Sequence, residues 1–223
     1  MSFSGFSKED FLAFPKGSRG RKLEVKQKLY NLIELVSEKL ENYAPELHKQ
    51  LMYKGVGNLR KDAGNCWGYL SKAKSQSNSV HFNFIVNDEG LSVGVQLERP
   101  WPIRSLISNI NEDMSGFLKT LRSLEENIIV DIHKRIPILG KNGEPLPRRF
   151  KWERLCRFQS KFFDRYALDY LLNELERLEY SAISFHWQYY WTYDMDLLSS
   201  GDIIDDVARE IEHLLPIYAF ARR

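Results

Sequence analysis

The sequence predicts an α+β protein, a largely antiparallel curved sheet with amphipathic helices packed on one face. Three observations carry that expectation. Apolar residues recur every three or four positions in several segments, the spacing of a helix with one buried side. Other segments alternate apolar and polar residues, the spacing of a strand with one covered face. The segments follow one another as helix, strands, helix, strand, helix, strand, helix, an order that favours antiparallel pairing over repeated βαβ units. No linker, internal repeat or low-complexity stretch divides the chain, so residues 1–223 are read as a single domain.

Ser7 followed by Asp10 forms a capping box, with Asp in place of the usual Glu, ahead of a short helix that Pro15 closes. Residues 16–22 carry four positive charges and read as a flexible connection. In the long helix that follows, Leu29, Ile33, Val36, Leu40, Tyr43, Leu47 and Leu51 share one side, and Pro45 kinks or splits it. Gly55, Gly57 and Gly64 mark an irregular loop carrying Lys54, Arg60 and Lys61. Strands are predicted over 66–72, 80–87 and 91–98, the last two joined by Asp88-Glu89-Gly90 as a hairpin turn. After Pro100 and Pro102, the residues Leu106, Ile107, Ile110, Met114, Phe117, Leu118 and Leu121 make the clearest amphipathic helix. Residues 127–135 alternate again. Asn142-Gly143 then marks a tight hairpin whose neighbours Pro137, Pro145 and Pro147 confine its arms to a sheet edge. Phe158, Phe162, Tyr166, Leu171, Leu175 and Leu178 predict a helix, and 182–190 an aromatic strand. Ile204, Val207, Ile211, Leu214 and Tyr218 form a last helical stripe, disturbed by Pro216.

Composition narrows the function classes. The 223 residues include 32 Lys+Arg and 30 Asp+Glu, a net charge of +2, with 43% hydrophobic and 28% charged residues. That is a water-soluble globular balance, neither disordered nor fibrous. A chain of this length buries roughly 70% of its unfolded surface, so its core needs no disulfides. Cys66 and Cys156 stand far apart without a paired motif, which fits a reducing interior. The opening residues turn acidic where a secretion signal needs an apolar run, and no apolar run reaches the ~18 residues of a membrane span. A cytoplasmic location and no membrane partner are expected.

Alternation gives the most informative functional reading. Successive strand side chains point to opposite faces. Phe82, Phe84 and Val86 oppose His81, Asn83 and Ile85; Leu91, Val93, Val95 and Leu97 oppose Ser92, Gly94, Gln96 and Glu98. Ile128, Val130 and Ile132 oppose Ile129, Asp131, His133 and Arg135; Ile183, Phe185, Trp187 and Tyr189 oppose Ser184, His186, Gln188 and Tyr190. With the apolar sets covered by helices, the other face presents His81, Asn83, Gln96, Glu98, Asp131, His133, His186 and Gln188. The plainest reading is a face open to water, as antiparallel sheets commonly leave one. Polar groups converging on a concave surface also make a binding site. His, Asp and Glu suit zinc or iron, or a histidine base held by a carboxylate, yet no spaced ligand motif fixes them.

Other motifs weigh less. The 55–64 loop follows a helix and opens a strand, the reverse of a phosphate-binding glycine loop. Basic residues gather at 16–28, at 54–61 and at Arg148-Arg149-Phe150-Lys151-Trp152, where cations and rings together suit stacking on single-stranded bases. The near-zero net charge is unlike a dedicated nucleic-acid domain, and surface charge of this kind is mostly solvated. In the aromatic run 185–193 half the rings belong to the core, with Trp191 and Tyr193 placed for a pocket mouth. No Gly-x-Ser-x-Gly nucleophile motif occurs, and Cys66 reads as a small buried residue.

The order Phe6-Ser7-Lys8-Glu9-Asp10-Phe11, a long helix, a strand near Trp67 and then His81-Phe82-Asn83-Phe84-Ile85 resembles the YktB-like family of uncharacterised bacterial proteins. The closing Leu214-Leu215-Pro216-Ile217-Tyr218 is similar to their last helix. The resemblance covers residues 3–124 and the C-terminal helix. It departs at Asn58-Leu59-Arg60-Lys61-Asp62-Ala63-Gly64, where the family has a basic stretch containing histidine. It implies an α+β fold with helices on a curved sheet and transfers no catalytic residues. The expected function is binding of a polar or anionic ligand, nucleic acid among the candidates, on the polar sheet face. His81, Gln96, His133 and His186 are the candidate contacts, with Arg60, Lys61, Arg148 and Arg149 for phosphate. A metal-dependent or histidine-based hydrolase using Asp131 or Glu98 is one alternative. A homodimeric structural or partner-binding protein, joined near the kinked helix, is another. No cofactor or metal is predicted, and either a monomer or a homodimer is allowed.

Overall fold

A computed structural model describes residues 3–17, 19–59, 63–75, 78–124, 128–177 and 183–223; at 15–16, 148–149, 174–177 and 183–185 it describes the backbone alone. The strands are β1 (Tyr53–Val56), β2 (Asn65–Ser71), β3 (His81–Asn87), β4 (Gly90–Leu97), β5 (Ile129–Leu139), β6 (Pro145–Gln159) and β7 (Ile183–Thr192). They form one open sheet in the order β1-β2-β3-β4-β7-β5-β6, antiparallel at every pairing. The helices are α1 (Lys8–Lys16), α2 (Arg19–Tyr43), α3 (Pro45–His48), α4 (Pro100–Glu112), α5 (Met114–Ser123), α6 (Arg165–Arg177), α7 (Ile203–His213) and α8 (Leu215–Ala221). The chain is thus α+β, as the alternating and helical spacings require.

The apolar strand sets make one continuous layer. Phe82, Phe84, Val93, Val95, Leu97 and Val130 are all buried, and helices cover them. Tyr218 of α8 stacks on Phe82 with ring centroids 4.8 Å apart, and Phe117 of α5 meets Trp187 edge-on at 6.3 Å. Asn109 of α4 donates to the Phe220 carbonyl at 3.0 Å, tying α4 to α8. Helix α2 lies across β1 and β2, and α7 packs on α2 and β4.

Several expectations change in detail. Residues 19–22 belong to α2 and not to a flexible connection. The buried Asp10 carboxylate needs counter-charge, and Arg21 and Lys28 of α2 approach it at 2.8 and 2.6 Å. Lys22 is buried too, its ammonium donating to the Ala63 carbonyl at 2.8 Å. The long helix does split around Pro45, into α2 and α3. Gly55 belongs to an edge strand, since β1 pairs with β2 from Tyr53 to Val56. The helix expected over 103–121 is two helices. Asp113 interrupts it and caps α5, its carboxylate accepting from the Gly116 N–H at 2.8 Å. Phe158 lies in β6, and Trp191 is core rather than pocket mouth, its indole N–H donating to Asp206 at 2.7 Å. Tyr193 is 43% exposed. No helix among the described residues is long and apolar enough to cross a membrane.

Candidate ligand-binding cleft

Strand register builds the site. Reading across the sheet, Ser71, His81, Gln96, His186, Asp131 and Arg157 stand directly opposite one another in a single row on one face. The next row holds Tyr69, Asn83, Gly94, Gln188 and Ile129, and His133 lies two residues along β5 from Asp131. The three strand histidines therefore share one face, as alternation implies. That face is not open to water. His81, Asn83, Gln96, Asp131, His186 and Gln188 are all buried.

Part of the cover comes from β6. In a flat sheet β2 and β6 would be about 24 Å apart, five strand spacings. Instead Trp67 of β2 and Trp152 of β6 line the same cavity, so the sheet curls and the β5–β6 arm leans over the polar face. A bulge sets which residues that arm presents. Cys156 pairs with Ile132 but Arg154 pairs with His133, leaving Leu155 as an extra residue. Strict alternation from Arg157 would put Leu155, Glu153 and Lys151 on the polar face. With the extra residue, Arg154, Trp152 and Phe150 take those places.

Asp131 is the charged centre of the row. Arg157 donates to it through two nitrogens at 2.8 and 2.7 Å, Gln188 donates at 2.6 Å, and Arg154 lies 3.2 Å away. Burial pushes this carboxyl up, but the Arg157 hydrogen bonds and the two guanidinium charges outweigh it and hold Asp131 below the usual range. Its oxygens accept from the Arg157 guanidinium and the Gln188 amide and pair with Arg154. Burial, reinforced by neighbouring His133, pushes His186 down to about 3. Burial also lowers His133, against the pull of Asp131, with Arg154 and Arg157 adding to the effect. The two rings sit 5.2 Å apart, edge to face. At neutral pH both imidazoles are uncharged. His81 Nδ1 lies 3.0 Å from the Ser79 carbonyl, which can only accept, so Nδ1 carries the proton.

Two adjoining cavities open beside this row. The inner one, about 230 Å³, is lined by Asn83, Gln96, Glu98, His133 and His186 below and by Trp67 and Trp152 at its sides. The outer one, about 570 Å³, shares Asn65, Trp67, Glu98 and Trp152 with it and adds Tyr69 and Phe150. Among the described residues, two side chains of the inner cavity hold buried polar atoms without hydrogen-bond partners, Asn83 Oδ1 and His133 Nδ1. Such groups cost roughly 1–3 kcal/mol each when left unpaired. Gln96 donates to Glu98 at 2.7 Å, and burial pushes the Glu98 carboxyl up against the opposing influences of Arg99 and that hydrogen bond. Edge-strand glycines fix the aromatic floor. A Cβ on Gly57 would fall 2.1 Å from the Trp67 indole, and one on Gly55 would fall 3.1 Å from Tyr69. Both rings therefore pack closely against the glycine opposite them.

Of the sequence candidates, His81, Gln96, His133 and His186 come together on the face, while Arg60 and Lys61 lie outside the described residues. Arg148 and Arg149 fall in β6 near the hairpin turn, with only their backbone described. Sequence reasoning missed Arg154 and Arg157, because the bulge breaks the period-two signal of β6 where both reside. Among the described residues, no three His, Cys, Asp or Glu side chains converge as a metal-ligand set. Fold and site together describe an open antiparallel α+β sheet whose polar face forms the floor of a covered, aromatic-walled cleft. No protein-family model matches the chain, and no curated protein matches it significantly.

Proposed function

We propose that this chain binds a polar ligand in the cleft between the sheet and the β5–β6 arm. The observation that carries the reading is Asn83. It is 6% exposed, it lines the inner cavity, and its Oδ1 has no partner among the described residues. A buried acceptor kept unpaired at a cost to stability is accounted for when a ligand supplies the missing donor. The described inner lining contains no Lys or Arg, and Arg154 and Arg157 are engaged by Asp131. An uncharged polar ligand suits that lining better than an anion does. The resemblance of residues 3–124 to YktB-like proteins belongs to the same proposal and assigns no residue a role.

The test uses acetamide, whose N–H groups complement Asn83 Oδ1, titrated into ¹⁵N-labelled protein. Saturable shifts centred on the Asn83 side-chain amide and its neighbours are expected, and their loss in Asn83→Leu. That variant removes an unpaired acceptor at nearly constant volume, so it should be as stable as the native chain or up to about 1 kcal/mol more stable. Shifts that never saturate, or that persist unchanged in Asn83→Leu, would overturn the reading.

A further inference from the structure

We propose that the ligand is a nucleobase, guanine in preference to the others, stacked between Trp67 and Trp152 with its N–H edge turned to Asn83 and Glu98. This rests on the polar-ligand reading above and specifies its occupant. The inner cavity, about 230 Å³, is smaller than the roughly 300–1,000 Å³ of a pocket for a drug-sized molecule. It suits one ring system, and the outer cavity, about 570 Å³, takes whatever the ring carries.

The walls are suited to a flat ligand. The Trp67 indole packs against Gly57 and lines both cavities. Trp152 of β6 lines both cavities as well, 38% exposed and edge-on to Phe150 at 5.7 Å. Two aromatic side chains on facing elements form a stacking slot, the device by which single bases are held with little dependence on sequence. Selectivity then falls to the floor, where two acceptors stand out beside the Asn83 amide donors and His133 Nδ1, which gives or takes according to its tautomer. Asn83 Oδ1 lacks a donor, and Glu98 offers carboxyl oxygens, one of which takes the Gln96 amide. Guanine presents its ring N–H and amino group side by side. Cytosine and adenine present one amino group each. Uracil presents a single N–H between two carbonyls, which would face the protein oxygens and leave them unpaired. Outside, Tyr69 lies 6.3 Å from Trp67 on the same strand face, a second platform for a neighbouring base if the ligand is a strand.

The experiment titrates guanosine, cytidine, uridine, the trinucleotide UGU and maltotriose separately into the intact chain, following tryptophan fluorescence and heat, at 50 and 200 mM salt. Guanosine should bind saturably and uridine at least about tenfold more weakly. Trp152→Ala, at a partly exposed position, should keep the native melting temperature and weaken guanosine at least about fivefold. UGU binding tenfold or more tighter than guanosine, and loosened by salt, identifies a single strand as the source; equal affinities identify the free nucleoside. No saturable nucleoside or UGU binding, equal affinity for guanosine and uridine, preference for maltotriose, or guanosine binding unaffected by Trp152→Ala would overturn the proposal. If acetamide still saturates at Asn83 in those cases, the polar site stands and only the base assignment falls.

Discussion

His186 illustrates how burial decides what a residue does. It is 7% exposed, and its pKa is pushed down to about 3 against an ordinary value near 6.5. Between those values the unfolded chain takes a proton that the folded chain refuses. Its contribution is therefore complete above pH 6.5 and is lost as the pH falls toward 3. Asp131 has the opposite charge type and a lowered pKa, so its contribution is present above the ordinary Asp value of 3.8 and lost only as pH drops below that. Between pH 6.5 and 4.5 the histidines lose stability, His133 with its lowered pKa included, while Glu98, whose carboxyl is pushed up, offsets part of that loss by taking a proton in the folded chain. Urea unfolding at pH 7, 6, 5 and 4.5 should show the native chain losing stability, of which His186→Gln removes about 2 kcal/mol. Parallel pH profiles for the two would show that His186 is not held neutral.

At the scale of the element, β6 is the strand that makes the face a cleft. Its extra residue at Leu155 keeps Arg157 and Arg154 on Asp131 and also turns Trp152 and Phe150 inward. Register arithmetic separates two deletions that composition alone would treat as alike. Removing Leu155 takes out the bulge but leaves Arg154, Trp152 and Phe150 on the same face, so acetamide should still saturate. Removing Glu153 leaves the bulge and turns Trp152 and Phe150 to the opposite face, bringing Lys151 inward. Acetamide saturation and the protection of Trp152 from acrylamide quenching should then both fall. Equal behaviour of the two deletions would show that the bulge does not set the lining.

Across the whole molecule, the arm that covers the cleft is the least supported part of the sheet. From Ile129 to Lys134, β5 pairs with β7 on one side and β6 on the other; beyond Lys134, among the described residues, it pairs with β6 alone. A two-stranded ribbon is marginal by itself, whereas the inner half of β5 is backed by the helical layer through Val130 and Ile132. Amide hydrogen exchange should be about 100-fold or more faster over 135–139 and 150–154 than over 130–133. Uniform protection along β5 and β6 would mean that the arm opens only when the entire sheet does.

The sequence by itself determined the element types, the helix-covered apolar layer and the chemistry of the second face. Those follow from local periodicity, and period two fixed which of His81, Gln96, Asp131 and His186 point the same way. Tertiary structure decided that β7 inserts between β4 and β5, which aligns these four in one row, and that β6 bulges and leans over them. Strand order is a choice among pairings distant in the chain, which no local pattern encodes. A bulge erases the alternation by which a strand is recognised. Residues 19–22 and 55–56 escaped local reading for a related reason: the buried carboxylate of Asp10 and the edge of β2 supply partners that only the folded chain brings near. A face expected to meet water became a buried floor because the sheet curls, and curvature depends on every strand together.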